Sequence, residues 1–405
     1  MEKNIHPKNE ECCGAKPPLC DWRSTGAPFP MADTCSTPAT CCDTPSDSTE
    51  TAYDRPGYTL CSYVERFFET PAGWTPQIGT TLDHQDFWGT VSARLGIGRD
   101  RYKVAPGLYA VGDPGPDSPV LVTANYKLTF DALRKELRHL DTWILVLDTK
   151  GVNVWCAAGK GTFSTAEVVR RVKTAGLDRV VNHRKLILPQ LAATGVAARA
   201  VKKGCGFEVV WGPIRVSDLK PFLNAGMKAD PSMRRVTFPL KERLVLVPVE
   251  LTNIGTPALW TAMVIFLLSG IGPGVYSIGD AWHRGLILLL SALLGVVGGA
   301  VITPALLPWI PGKPFAVKGV IPGLVMGAAA MIFFRHELGM FDAAAVILVA
   351  GAVSSYMAMY FTGSTPFTSP SGVEKEMRRA MPVQAGAVLI GAVLWVAAAF
   401  IGVHP

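Results

Sequence analysis

The chain predicts an α/β doubly wound domain, of the Rossmann or flavodoxin-like kind, followed by an all-α domain of five transmembrane helices. Three observations carry this. Short apolar runs rich in β-branched residues alternate with amphipathic stretches across residues 119–226, which implies parallel strands joined by crossover helices. The hydrophobic fraction is 49% and the mean hydropathy +0.27 over 405 residues, more than a soluble chain needs. That excess lies in the last third, in five long apolar segments.

In order, residues 119–123 read as a strand and 128–140 as a helix, with Leu133, Leu137 and Leu140 at helical spacing. Residues 142–147 form the next strand, which the turn residues 148–151 break before Asn153 opens a short helical segment. A helix over 164–174 follows, capped by Ser164 or Thr165 with Glu167 in its first turn. Residues 186–188 are a third strand, 196–203 a helix, 207–211 a fourth strand and 216–223 a last helix. Upstream, residues 1–58 form a Cys-rich extension without apolar periodicity, expected to be disordered. Residues 59–118 are a lead-in, with a short helix over 63–69 and with Trp74, Phe87 and Trp88 as packing residues. Residues 227–256 read as a basic, extended connector.

The transmembrane domain, 257–405, has expected spans over 258–276, 285–307, 319–334, 343–361 and 381–403. The first carries Gly270, Gly272, Pro273 and Gly274 and should kink or end early. No acidic or basic residue is expected deep within a span, which disfavours transport. Lys313, Lys318, Lys375, Arg378 and Arg379 fall in loops on one side, against Arg284 and Arg335 on the other. By the positive-inside rule, the protein is a multi-pass protein of the inner membrane, with its soluble domain in the cytoplasm and His404 outside. No cleavable signal is read at the start, so the nine cysteines are expected as reduced thiols. Residues 160–243 hold 17 basic and 6 acidic side chains, a cationic stretch suited to an anionic partner or leaflet. No nucleic-acid partner is expected.

In parallel sheets, ligands gather at the carboxyl ends of strands, so the residues there are the candidate site. These are Thr123 and Asn125 after the first strand, the run Asn153, Val154, Trp155, Cys156, Ala157, Ala158, Gly159, Lys160 after the second, Pro189 and Gln190 after the third, and Gly212 after the fourth. The small residues beside Trp155 would let a large flat ligand approach the backbone. The Gly-Lys-Gly-Thr run is not a phosphate loop: Val154 stands where the motif needs Gly, and Gly161 where it needs Ser or Thr. A lone cysteine after a strand is otherwise most often a small buried hydrophobe. His183 is a rival metal ligand but sits in a basic loop. The vicinal pairs Cys12-Cys13 and Cys41-Cys42 are candidates for a soft ion such as Hg(II), whereas Cys20, Cys35 and Cys61 form no pattern.

The run NVWCAAGK, residues 153–160, resembles the signature of the mercury-methylating corrinoid proteins, the HgcA family. Over residues 119–224 the domain is also similar to the large subunit of the corrinoid iron–sulfur protein. The resemblance implies a corrinoid cofactor of the cobalamin type, with Cys156 as the lower axial ligand of cobalt. It also implies methyl transfer to Hg(II), because thiolate donation favours departure of the methyl with its bonding electrons. A methyl group derived from methyltetrahydrofolate, and an HgcB-type dicluster ferredoxin supplying electrons and mercury, are the implied partners. No cysteine set for an iron–sulfur cluster is recognised in the chain itself. Two alternatives stay open: a corrinoid methyl carrier between methyltetrahydrofolate and another acceptor, and a non-enzymatic membrane protein that binds metal.

Overall fold

The structure, a computed structural model, describes residues 62–365 and 370–401. The extension with Cys12, Cys13, Cys20, Cys35, Cys41 and Cys42 lies outside the described residues, as do Cys61 and His404. The chain divides into two compact units: one runs up to Ala93 and resumes over Gly98–Arg235, and the other takes Arg94–Ile97 and Val236–Pro405.

Seven strands form the sheet of the first unit: β1 (Val64–Thr70), β2 (Gly73–Ile78), β3 (Gly107–Val111), β4 (Val120–Ala124), β5 (Thr142–Leu147), β6 (Lys185–Leu188) and β7 (Glu208–Trp211). Their order across the sheet is β1-β2-β3-β5-β4-β6-β7. Helix α1 (His84–Arg94) precedes β3, α2 (Lys127–Glu136) joins β4 to β5, and α3 (Val154–Gly159), α4 (Thr165–Thr174) and α5 (Leu177–Val180) lie between β5 and β6. Helix α6 (Ala198–Cys205) joins β6 to β7, and α7 (Leu219–Asn224) follows.

Strands β5, β4, β6 and β7 are parallel, as the alternation of elements predicts. Their order is flavodoxin-like: the chain leaves β4 for β5 on one side, then returns to β6 on the other, making a switch point between β4 and β6. Strands β3, β4 and β5 are buried along their whole length, which explains why 119–123 and 142–147 read as apolar runs; β3, within the stretch read as lead-in, was not foreseen as a strand. Alternate residues feed two cores. Val120, Val122, Leu145 and Leu147 pack with Val154, Ala157, Val168 and Val201 on one face. Leu121, Ile144 and Val146 pack with Phe130, Leu133, Leu137 and Phe222 on the other.

The lead-in differs from its reading. Residues 63–69 are not helical: β1 forms an antiparallel hairpin with β2, and β2 and β3 extend the sheet to make it mixed. Val64, Phe67 and Thr70 favour a strand once a partner is present, and that partner is invisible to local periodicity. Phe87 and Trp88 are exposed rather than packed, at 57% and 51%. Helix α1 turns Asp86, Gly89, Ser92 and Ala93 inward instead. Gly89 lies under the Tyr102 ring, where a Cβ would meet Cε2 at 2.6 Å.

Beneath α1, Lys127, Asp131 and Arg134 of α2 join Asp86 in a buried network of two cations and two anions. Lys127 Nζ donates to both Asp131 oxygens, at 2.9 and 2.7 Å, and to Asp86. Arg134 bonds Asp131 at 2.9 Å, Asp86, and the carbonyls of Gly79 and Thr81 at 2.7 and 2.8 Å. Burial pushes the neighbouring Tyr63 and Tyr102 hydroxyls above their ordinary range.

In the second unit, the connector is helical rather than extended: α8 (Leu240–Leu244) and α9 (Val247–Asn253) lead into α10 (Gly255–Ser269). Arg243, within the stretch read as a basic connector, is buried and donates to the carbonyls of Pro304 and Ala305 at 2.7 and 2.8 Å. Helix α10 ends before Gly270, and a small hairpin of β8 (Ile271–Gly272) and β9 (Val275–Tyr276) follows, so the first expected span stops early. Next come α11 (Ile278–Val297), a π-helical turn, α12 (Thr303–Leu306), α13 (Phe315–Phe333), α14 (Met340–Phe361) and α15 (Pro370–Ile401). Among the described residues, four helices here are long and apolar enough to cross a membrane. They number five if the pair bent by 56° before Ser269 is one span. Lys318, Lys375, Arg378 and Arg379, expected in loops, lie within helices α13 and α15. Arg284 and Asp342, also expected outside the spans, lie in α11 and α14 and pair at 3.0 Å in a buried contact. The Arg284 guanidinium stacks over Trp395 of α15, whose indole N–H donates to Ser269 at 2.8 Å, so one polar cluster ties four helices together.

Candidate functional site

At the carboxyl ends of the parallel strands, astride the β4/β6 switch point, lies a cavity of about 290 Å³. Leu121, Val122, Ile187 and Leu188 line it from the two strands, and Thr129, Leu133 and Leu219 from the helices beside them. Of the residues chosen from the sequence, Thr123, Asn153, Val154, Trp155, Pro189 and Gly212 line it. Pro213, read with Gly212 at the fourth strand's end, lines it too, and sequence reasoning missed the Ile214, Arg215, Val216 stretch that completes the wall. Its signal was available: it follows the fourth strand and brings a cation, Arg215, to an otherwise apolar hollow.

Cys156 is the third residue of α3 and is a half-buried free thiol. It is not among the lining residues, but the three residues before it are. Asn153 caps the helix: its side-chain oxygen accepts the Cys156 N–H at 2.9 Å. Ala157 and Ala158 face inward, where their small size lets α3 lie close on the sheet. Gly195 approaches from the other side, and a Cβ there would fall 3.0 Å from Ala158 Cα. The small residues thus serve this packing, a different use from the open ligand face expected of them. Gly159 and Lys160 are exposed at the helix end.

Asn125 is buried at 2% and faces the loop after β5 rather than the cavity. Its Oδ1 accepts the N–H groups of Thr149 and Gly151 at 3.1 and 2.9 Å. Burial works against the charge of Asp148, yet hydrogen bonds from the Lys150 side chain and backbone hold its carboxyl below the usual range. The Asp148 N–H donates to Glu167 at 2.9 Å, and Glu167 pairs with Arg171 at 2.9 Å. Gln190 is bonded by Arg234. His183 has both ring nitrogens engaged at the amino ends of the strands, where Nδ1 accepts from Lys185 N–H at 3.2 Å and Nε2–H donates to Ser118 at 2.8 Å. Among the described residues no group of three or more His, Cys, Asp or Glu stands close enough to hold a metal ion.

Against known families, residues 90–222 match the model described as CO dehydrogenase/acetyl-CoA synthase delta subunit. The matched stretch falls on the sheet and its cavity. Relatives include the acetyl-CoA decarbonylase/synthase complex subunit gamma of Archaeoglobus fulgidus, 32% identical over 148 residues, 35% of this chain and 31% of that protein. The subunit gamma of Methanopyrus kandleri is 35% identical over 127 residues, 31% of this chain and 27% of that protein. The one from Methanocaldococcus jannaschii is 36% identical over 93 residues, 22% and 19%. The chain spans less than a third of the length of the curated relatives it matches.

Proposed function

We propose that this chain is a corrinoid-dependent methyltransferase that transfers a methyl group to inorganic Hg(II), giving methylmercury. The observation that carries the reading is the free thiol of Cys156 on a capped helix beside a cavity at the sheet's switch point. A bound corrinoid supplies a cobalt centre that takes up a methyl group and gives it up again. Such a group brings its own ring nitrogens, so it asks the protein for one axial donor rather than a metal cluster. The residues fit that request. Cys156 offers a soft, free thiol sulfur, and Thr123, Thr129, Asn153 and Arg215 are the polar side chains around an apolar hollow. At about 290 Å³ the cavity sits at the lower end of the roughly 300–1,000 Å³ usual for ligand pockets, so it accommodates part of a large cofactor.

In this reading, Cys156 is the residue that would hold the cobalt, and its thiolate would supply electron density to it, which would suit an electrophilic soft ion as methyl acceptor. Trp155 keeps water from that side, and Asn153 fixes the helical turn that carries the sulfur. The electron and the mercury come from a separate dicluster ferredoxin, the methyl group from methyltetrahydrofolate, and the helical unit anchors the chain in the inner membrane. A second reading is a methyl carrier between methyltetrahydrofolate and another acceptor; that the relatives are named as subunits of an acetyl-CoA decarbonylase/synthase complex supports it. The purified full chain mixed with cobalamin should give the visible spectrum of a thiolate-ligated corrinoid, absent in Cys156→Ala and altered in Cys156→His. Absence of any stable complex removes both readings. Methylmercury formation at the wild-type rate by Cys156→Ala refutes the ligand assignment.

A further inference from the structure

We propose that Asn125 is a positioning residue that presets the loop carrying Cys156; this deepens, and rests on, the corrinoid reading. Asn125 belongs to the end of β4, whereas the loop it grips follows β5, so the grip crosses between two neighbouring strands. Its own backbone is fixed, since its carbonyl accepts the Val104 N–H at 2.9 Å. A side-chain amide oxygen has two lone pairs, and the Thr149 and Gly151 N–H groups fill both. The Thr149 hydroxyl lies 2.9 Å from that oxygen and 2.7 Å from the Val152 carbonyl, and its single proton therefore goes to Val152. The amide nitrogen of Asn125 faces Asp148 Oδ1 at 3.4 Å, completing the ring of contacts.

The loop needs such a grip because its backbone is unusual. Lys150 and Gly151 both adopt left-handed φ, +59° and +74°. For a lysine that conformation is unfavourable and persists only where the surroundings impose it. Asp148 contributes by accepting the Lys150 N–H at 3.1 Å, and Asn125 contributes the rest. Two residues beyond Gly151, Asn153 caps the helix whose third residue is Cys156. A loop free to sample other conformations would scatter the sulfur, and a ligand fixed in advance binds without losing that freedom.

The test compares the full-length wild type with Asn125→Ala, Asn125→Asp, and the exchange pair Asn125→Asp with Asp148→Asn. Amide hydrogen exchange, read without corrinoid, reports the loop; the visible spectrum with corrinoid reports sulfur ligation. In Asn125→Ala the Thr149 and Gly151 amides should exchange faster by on the order of tenfold, with β4 and β5 unchanged. The thiolate-ligated fraction should fall with it. Asn125→Asp alone keeps the acceptors but sets two carboxylates together, and should lose part of the ligation. The exchange pair should recover ligation in part, above that of Asn125→Asp: the carboxylate at 125 accepts the two N–H groups and the amide at 148 donates back, at the loss of the oxygen that accepted the Lys150 N–H. Faster loop exchange with an unchanged spectrum overturns the positioning role, and unchanged exchange overturns the grip itself. Should Asn125→Ala loosen β4 and β5 as well, the exchange pair decides: ligation below that of Asn125→Asp overturns the proposal. A wild type that never ligates corrinoid refutes the corrinoid reading instead, and the exchange measurement distinguishes the two failures.

Discussion

Replacing Lys127 with methionine keeps most of the side chain's length and removes one of the two cations beneath α1. The ammonium is 7% exposed and serves three carboxylate oxygens, two on Asp131 and one on Asp86. It also stands over the rings of Tyr63 and Tyr102, 5.1 and 5.4 Å from their centroids. Without it, Arg134 alone faces both carboxylates and the buried cluster carries a net negative charge. Breaking one member out of a buried ionic network leaves an uncompensated charge, a loss of about 3–5 kcal/mol. Lys127→Met combined with Asp131→Leu removes one charge of each sign and leaves Arg134 paired with Asp86. The pair of changes should therefore cost at least about 1 kcal/mol less than Lys127→Met alone. Pulse proteolysis of the full chain across a urea series, scoring survival of the sheet unit, measures both. A Lys127→Met variant within about 1 kcal/mol of wild type refutes the reasoning, as does a double variant whose loss equals the sum of the singles.

The same network predicts the pH range of the sheet unit. Burial would raise the Asp86 carboxyl, but Lys127 and Arg134 outweigh it and hold the group low, so its stabilisation is complete above about pH 4 and fades as pH falls through the depressed value. Tyr63 and Tyr102 are raised by burial, so their contribution is intact below about pH 10 and fades as pH rises beyond it. Survival in pulse proteolysis should be flat between these limits, and Asp86→Asn should flatten the acid limb; an unchanged acid limb would contradict the assignment. Gly195→Ala places a Cβ against the Phe163 carbonyl and 3.0 Å from Ala158, both backbone atoms that cannot swing aside. It should cost about 1–3 kcal/mol and weaken thiolate ligation together, and wild-type values of both would show that α3 tolerates displacement.

The parallel half of the sheet was legible because its central strands β4 and β5 are buried on both faces and each strand is punctuated by turn residues within a short window. Residues 142–147 carry that signal in full, and the observed strand spans the same six positions. Strand β1 was illegible for the opposite reason. Its identity depends on β2 and, beyond it, on β3, and no window of local periodicity includes those partners. Arg284 and Asp342 were misplaced because a charged residue in an apolar segment reads as the segment's end. In the structure the two charges answer each other across α11 and α14, which makes burial tolerable where either alone would be expelled.

The site divides along a similar line. The structure brings Thr123, Asn153, Trp155, Pro189 and Gly212, which strand-end logic had grouped, around one cavity, because the carboxyl ends of parallel strands share an edge whatever the side chains are. It could not separate residues that face the cavity from those that hold the cavity's frame. Asn125 and Thr123 stand two positions apart at one strand end and are both buried, yet Thr123 lines the hollow while Asn125 is consumed by backbone donors of the next loop. The difference arises from the left-handed turn at 150 and 151, around which the Thr149 and Gly151 N–H groups meet the Asn125 oxygen while the Lys150 N–H goes to Asp148. An asparagine at the end of β4 and a Lys-Gly pair after β5 are therefore one feature divided between two strands. If that holds, the orientation of the Cys156 sulfur is set as much by β4 as by the helix that bears it.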